Sequence, residues 1–591
     1  MVPVRFAPKL YVANGKAKVP LQIGTPMENT RMIRSFTNAL AVLLTAALLM
    51  PLATASAQTP LATTTANASD AATTLIEGRD LEKSGRWGDA LGLYQQFLRT
   101  HPVDEKIQRR RSVARLHFDL DRRYSDSSFI RTIETSETSS ALTVYAEILA
   151  KIQSYYVETP NWSELASFGL TSLEIAMMNP EFRATNLQGV SETEIRDVIL
   201  QTREELKSAV VNTRHDAYMV AHKTAGSLEQ RLGLSGQATV YEFVCGAISA
   251  LDPYSGFMSS SQYGESMSQI EGNFVGLGVE LRTKDDHLHI VSVINGGSAD
   301  VHGLTKDDLI TAVDGTAVDQ IGSEKAADML RGPENSFVEL TISRNQRQQK
   351  LRLERRRIDI PSVEDVSIVD RESGVGYIRL TNFQKTTPRD FDEALWKLHR
   401  QGMRSLIVDV RGNPGGLLQA SVDIADRFVT DGIIVSTRGR NPMEDYTHRA
   451  NMASTWRMPL IVLIDENSAS ASEIFAAAVS DHKRGTIVGE RSYGKGSVQG
   501  IFPLNISGGG VRLTTAKFYS PHGNAISEVG VAADVQIHEV ARASEIANSE
   551  NEDAGMRLGI LEAKKLVANA SNRRSPALGR TKTTNASFAG R

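Results

Sequence analysis

Two residues, Ser470 and Lys495, stand in surroundings that could turn a hydroxyl and an amine into reagents. Ser470 lies in DENSASASEIFAAAVSDH, directly after the apolar run PLIVLID. This order implies a strand, a tight turn and a helix, with the hydroxyl at the helix N-terminus, where unpaired N–H groups and the dipole favour developing negative charge. The same stretch spells Ser470-Ala471-Ser472-Glu473, an S-x-x-E capping box, and on local grounds capping is the simpler reading. Lys495 lies in GERSYGKGSVQGIFPL, among small neighbours that let a long side chain fold into a pocket. It can serve as a general base only when neutral, so its ordinary pKa of about 10.4 must fall by roughly 3 units through burial. Gln499, four residues on, shares a face with it and can hold an amine without recharging it. Gly489 to Lys495 also reads G-x-x-x-x-G-K, but Gly496 stands where a phosphate loop needs Ser or Thr, and a strand-like stretch follows instead of a helix. A third segment, LIVDVRGNPGGLLQA, runs a strand into a glycine turn, leaving the N–H groups of Gly415 and Gly416 to face an anion in the manner of half an oxyanion hole.

These segments fall in an alternation that begins near residue 358: VGYIRL, a helix over 389–401, SLIVDV, a helix over 417–429, GIIVS, PLIVLID, a helix over 471–481, and GTIVG. Strands alternating with helices imply an α/β layered core over 358–540. Before it, 263–357 is read as a small β domain with strand candidates FVGLGVEL, LHIVSVI, LITAVDG and VELTISR. His287 and His289 share a strand face there but have no third ligand nearby, so they are read as surface histidines. Residues 141–262 carry helical periodicity, as in ALTVYAEILAKIQSYYV and ATVYEFVCGAISAL, with a polar helical insertion over 179–238. Ahead of these, 75–140 is helical and opens with LIEGRDLEKSGRWGDALGLYQQFLRTHP, whose Gly78, Ala90, Tyr94 and Pro102 fit one tetratricopeptide-like hairpin. Residues 58–74 read as a Thr/Ala/Ser linker, and 541–591 as a polar, largely disordered tail with one helix near 556–568.

A chain of 591 residues is too long for one core, and 41% hydrophobic with 23% charged residues is ordinary globular composition. A net charge of −3 gives no electrostatic case for nucleic acid. The single cysteine, Cys245, excludes an intrachain disulfide and is read as a buried thiol. From Met32, one Arg, an apolar stretch over 39–50 and Ala55-Ser56-Ala57 have the layout of a secretory signal cleaved after Ala57, so residues 1–57 are read as an upstream leader plus signal, starting at Met32. Export to a periplasmic or extracellular space is expected, and an uncleaved signal would leave the chain membrane-associated.

Together VDVRGNPGGLL, ENSASASEI, YGKGSVQ, VRLTTAKFYSPHG and GVAADV resemble the C-terminal processing peptidases, or tail-specific proteases, over about 141–538. Lys495 follows Ser470 by 25 positions, the separation that family's nucleophile and base show. The resemblance implies a multidomain α/β protein: a crotonase- and ClpP-like peptidase core, an inserted PDZ domain at 263–357 and an N-terminal helical region. It implies Ser470 as nucleophile, Lys495 as general base and Gln499 as its orienting group, with an oxyanion hole from the N–H groups of Ala471 and Gly416. The loop Val275-Gly276-Leu277-Gly278 is the implied seat of a substrate's C-terminal carboxylate. The implied partners are unfolded or tail-exposed protein substrates, with a homo-oligomer left open. The implied reaction uses no cofactor, metal, nucleotide or nucleic acid. Two departures are the long 179–238 segment and Ala533, where relatives carry proline. The rival reading is a non-catalytic PDZ-bearing envelope scaffold or chaperone; the presence of Ser470, Lys495 and Gln499 speaks against it. Residues 75–140 lie outside the resemblance, and an accessory role there implies that their deletion spares cleavage of small peptides.

Overall fold

The structure, a computed structural model, describes residues 71–101, 103–207, 209–284, 287–345, 347–451, 455–537 and 553–574. The leader and signal segment, most of the 58–74 linker, and residues 538–552 and 575–591 of the tail lie outside the described residues.

The peptidase core is built on a six-stranded sheet of β1 (Val363–Asp370), β2 (Val375–Leu380), β3 (Ser405–Asp409), β4 (Leu460–Ile464), β5 (Thr486–Gly489) and β8 (Val535–Gln536), in that order. β1 is antiparallel at one edge, and every other pairing is parallel. Both β3 and β4 are buried at every position, the unbroken apolar pattern of parallel strands covered on two faces. A second sheet pairs β6 (Ser497–Pro503) with β7 (Gly510–Tyr519), and β7 with Ile433–Gly439. The two sheets enclose a large apolar core containing the helices α6 (Thr387–Arg400), α7 (Leu418–Asp426) and α8 (Ala471–Asp481). The opposite face of the parallel sheet is covered by α9 (Ala554–Arg574) through Leu558 and Ala563.

The domain at 263–357 is a separate β unit with its own core, including Leu288, Ile290, Ile310, Val338, Leu340 and Leu353. The strand expected over FVGLGVEL is split in two, because Gly278 turns the chain at a φ of +82°. Its first half, Asn273–Gly276, pairs with Arg356–Asp359 to form a two-stranded stem leading to the peptidase core.

The N-terminal helices divide unexpectedly. Helices α1 (Ala71–Lys83) and α2 (Trp87–Thr100) form a hairpin in which the Tyr94 ring packs on Gly78 and the Tyr94 hydroxyl donates to Glu82 at 2.9 Å. The start of α3 (Glu105–Tyr124) closes this small cluster through Ile107 and Ala114. Its second half belongs elsewhere: Leu120 and Tyr124 join the core of the lead-in helices, among them α4 (Trp162–Met178) and α5 (Gly236–Ser249). There Arg123 donates to the fully buried Glu242 at 2.6 Å, and Tyr124 and Ser172 supply two further donors. The 179–238 segment supplies helices to this same core through Phe182, Ile195, Ala221 and Leu228.

Candidate active site

Ser470 is the residue before α8, and the turn carrying it is strained. Its φ and ψ are +56° and −112°, a region that costs a non-glycine residue about 1–3 kcal/mol. Capping does not explain this conformation, because only the glutamate half of the capping box hydrogen-bonds. The Ser470 N–H donates to Glu473 Oε2 at 2.8 Å, whereas the Glu473 N–H donates to the Ser470 carbonyl at 2.9 Å. The Ser470 hydroxyl is fully buried and, among the described residues, has no hydrogen-bond partner. A buried polar atom without a partner is rare enough to require a reason, and a substrate group is one.

Glu473 does more than close a turn. Its Oε1 accepts from the Ser492 hydroxyl at 2.6 Å and the Gly494 N–H at 2.7 Å, and its Oε2 accepts from the Lys495 N–H at 2.9 Å. One carboxylate oxygen therefore takes the amides of both Ser470 and Lys495, which fixes those nitrogens within about 6 Å of each other. Burial pushes the Glu473 carboxyl upward, and the four donors pull it back. Nothing in the S-x-x-E pattern announced this second task; the clue was a glutamate too buried to be a cap alone.

Lys495 emerges from the loop between β5 and β6, only 4% exposed. Burial, then the positive charge of Arg512, pulls its pKa down to about 7, against the opposing charges of Glu473 and Asp252. Its Nζ stands 5.2 Å from the centroid of the Tyr254 ring, so an aromatic face walls the amine. Gln499 is fully buried on β6, where its Nε2 donates to Ser497 Oγ at 2.9 Å while its Oε1 has no partner among the described residues. The structure thus places the Gln499 amide in the interior after Lys495 without a bond from its oxygen.

The glycine turn reaches Ser470 from the end of β3. A Cβ on Gly415 would lie 2.8 Å from Ser470 Cβ and 3.0 Å from the Ala471 nitrogen, so only glycine permits the approach. The Gly415 N–H is already donated to Asn413 Oδ1 at 2.9 Å. Gly416, at a φ of +136°, bridges Phe383, and among the described residues its N–H and that of Ala471 have no acceptor. Asn413, which the sequence did not single out, thus occupies the Gly415 N–H and leaves that of Gly416 undonated. The strap bearing Phe383 also meets the helix Ser260–Glu271 that leads into the stem, since the Lys385 N–H donates to the Ile270 carbonyl at 3.0 Å.

Of the second candidate site, Val275 and Gly276 lie in the stem strand, while Leu277 and Gly278 form the turn after it. The Leu277 and Gly278 carbonyls accept from Ala299 at 2.8 Å and Ile294 at 2.9 Å. His289 faces Asp307 at 3.6 Å. Cys245 is buried in α5 with its thiol pushed up to about 12 by burial.

Residues 374–537 match the family model for peptidase family S41, and residues 266–343 match that for the PDZ domain. A carboxy-terminal-processing protease of Bartonella bacilliformis is 35% identical over 313 residues, 51% of this chain and 70% of that one. A carboxyl-terminal-processing protease of Synechocystis is 34% identical over 294 residues, 49% of this chain and 68% of that one. The solved photosystem II D1 C-terminal processing protease aligns at 25% identity over 67% of this chain and 92% of that one, with a TM-score of 0.34. The chain belongs to peptidase family S41, as a serine protease of the carboxy-terminal-processing kind with a PDZ domain inserted ahead of its catalytic core.

Proposed function

We propose that the protein is an exported endopeptidase that captures the free C-terminus of an unfolded or tail-exposed protein on its PDZ domain and cuts an upstream peptide bond with a Ser470–Lys495 dyad. The observation that carries this reading is the buried, partnerless Ser470 hydroxyl, whose backbone shares a Glu473 oxygen with that of a lysine held near neutrality. The 32–57 segment is the basis for export. Among the described residues no helix is long and apolar enough to cross a membrane.

In the proposed reaction the tail adds as a strand at the PDZ edge, its carboxylate on the amides of the Val275–Gly278 loop. The Lys495 amine takes the Ser470 proton as Oγ bonds to the carbonyl carbon, and the carbonyl π pair moves to oxygen. The N–H groups of Ala471 and Gly416 receive that oxyanion. Its collapse breaks the C–N bond, and the Lys495 ammonium gives its proton to the departing amine. Water then adds to the acyl-enzyme with Lys495 again as base. Breaking the ester C–O bond releases the new carboxyl terminus, and the proton returns to Ser470. Gln499 is the proposed steadying group for the neutral amine.

The test is to incubate the protein with an unfolded substrate ending in a free apolar residue, with Ser470→Ala alongside, and to read fragments by mass spectrometry. Cleavage by the parent alone is expected, and amidating the substrate's C-terminus should raise KM while leaving kcat nearly unchanged. Fragments persisting with Ser470→Ala would mean another nucleophile.

A further inference from the structure

Helix α3 precedes both the PDZ and S41 segments, yet one of its side chains grips the wall of the Lys495 pocket. Arg115 donates through Nη1 to the Asp252 carbonyl at 2.9 Å and through Nη2 to the Ser255 carbonyl at 3.3 Å. Between them, the Tyr254 carbonyl accepts from Arg512 Nε at 2.8 Å. The turn is also bonded internally: Asp252 Oδ1 accepts from the amides of Tyr254 at 2.7 Å and Ser255 at 2.9 Å, and Oδ2 accepts from the Ser255 hydroxyl at 2.8 Å. That hydroxyl in turn accepts from the Thr514 N–H at 3.2 Å, on the strand whose Thr514 is in register with Gln499. The carbonyl directions of Asp252, Tyr254 and Ser255 are thus fixed by two guanidinium groups, and what the turn offers the active site is the Tyr254 ring beside Lys495 Nζ.

A guanidinium suits this task because its planar fork can hold two carbonyls in a set relation, which a single ammonium cannot. Arg115 is itself oriented by Asp119, 3.3 Å away on the same helix, and its side chain is only 18% exposed. We propose that Arg115 is a positioning residue for the Ser470–Lys495 reaction: by clamping the Asp252–Ser255 turn from the N-terminal helices, it keeps the Tyr254 ring against the lysine amine. The proposal rests on Lys495 being the general base. The charges that act on the amine include Glu473 from α8, Asp252 from the turn and Arg512 from β7, and the Tyr254 ring stands beside it. Arg115 acts one step removed, through the turn and through Arg512, whose own pKa is pulled down to about 10 by burial and then by Arg115. Without the clamp, the turn loosens and water reaches the amine. Burial is the largest cause of its neutrality, so its pKa returns upward.

The experiment measures kcat and KM against pH on a short quenched peptide, using full-length protein, with thermal unfolding followed in parallel. The variants are Arg115→Ala, Arg115→Lys, Tyr254→Ala, Tyr254→Phe, Lys495→Ala and Arg110→Ala, the last removing a same-helix arginine that pairs with Glu82 in the hairpin. For Arg115→Ala the pH midpoint of kcat/KM should rise by about one unit, with kcat near neutrality falling about fivefold, KM within about twofold, and activity recovering at alkaline pH. Arg115→Lys should lie between, and Tyr254→Ala should reproduce the shift even if Arg115→Ala folds poorly. Tyr254→Phe, which keeps the ring, should not shift the midpoint. Arg110→Ala should unfold earlier at an unmoved midpoint. The proposal is overturned if Arg115→Ala and Tyr254→Ala lower stability but leave the midpoint and kcat of the folded protein unchanged. Wild-type kcat in Lys495→Ala would instead remove the base assignment beneath it.

Discussion

If Lys495 is the base proposed above, a single amine links activity to stability, with opposite consequences. Its pKa is about 7 in the folded chain against an ordinary 10.5, so the folded state gives up a proton between those values that the unfolded chain retains. Stability therefore rises with pH across that window, and below about pH 7 the folded protein carries a buried ammonium at full cost. Lys495→Met should abolish cleavage yet raise Tm by about 2–5 °C near pH 6, with the gain fading toward pH 10. An equal gain at both pH values would contradict the depressed pKa. Wild-type kcat should climb through about pH 7 as the amine deprotonates, and a profile that disappeared with some histidine variant would remove the lysine assignment. Glu473→Gln makes a different prediction. Its amide N–H₂ would confront one pair of the four donors that the carboxylate now accepts, displacing Ser470 or Lys495. Kinetics should show kcat down by about 10²–10³ with KM within about twofold, the pattern of lost positioning rather than lost binding.

At the scale of elements, strands buried on both faces were the easiest to read. VGYIRL and the helix 471–481 form over the expected residues because unbroken apolar runs and a marked helix start leave few alternatives. The turn that carries Ser470 and the small-residue surroundings of Lys495 were legible from their motifs, but the junction between them was not, since a glutamate in S-x-x-E position announces only a local cap. The two-way split of α3 was hidden too, because helical periodicity reveals that a face is buried and not against what. Helix α9 illustrates the same limit in a stretch whose composition reads as polar. It covers Tyr377, Ile407, Ile461 and Leu463, and is pinned by Asp553 to Arg411, which also grips Asp409 beside the glycine turn. Burial disfavours the Arg411 charge, but the two carboxylates outweigh it and hold the guanidinium above its usual range. Ending the chain at residue 537 should expose that apolar sheet face. Increased binding of a hydrophobic dye and a Tm lower by several degrees are expected, whereas Asp553→Ala alone should cost about 1 kcal/mol or less because Asp409 still pairs with Arg411. Unchanged dye binding in the truncated chain would mean that the face is covered otherwise.

For the whole molecule, the decisive boundary lies inside the N-terminal helices and not at their end. Residues 71–101 have their own small cluster, joined to the rest through Ile107, Ala114 and the Arg110–Glu82 pair. His117 and Phe118 still pack on the hairpin, through Trp87 and Gly88, and from Leu120 onward the chain is committed to the large helical core. Leu120, Tyr124, Phe129 and Ile133 are all buried there, and Arg123 neutralises Glu242, which would otherwise be a buried carboxylate stripped of its cation. Breaking such a pair by removing one partner costs about 3–5 kcal/mol, and the lost apolar burial adds several more. Two truncations should therefore separate cleanly. A chain beginning at residue 104 retains Arg115, Arg123 and the helical core, so its kcat on a short peptide should stay within about twofold of the parent, with a modest loss of stability. A chain beginning at residue 141 loses both arginines, the clamp on Tyr254 and the Leu120, Tyr124, Phe129 and Ile133 share of the helical core, and should be aggregated or inactive rather than a working peptidase without an accessory region. An accessory, separable 75–140 region requires the second chain to cleave small peptides normally. If it does, the catalytic unit begins where the family resemblance begins, and the contacts of α3 with the Asp252–Ser255 turn are dispensable.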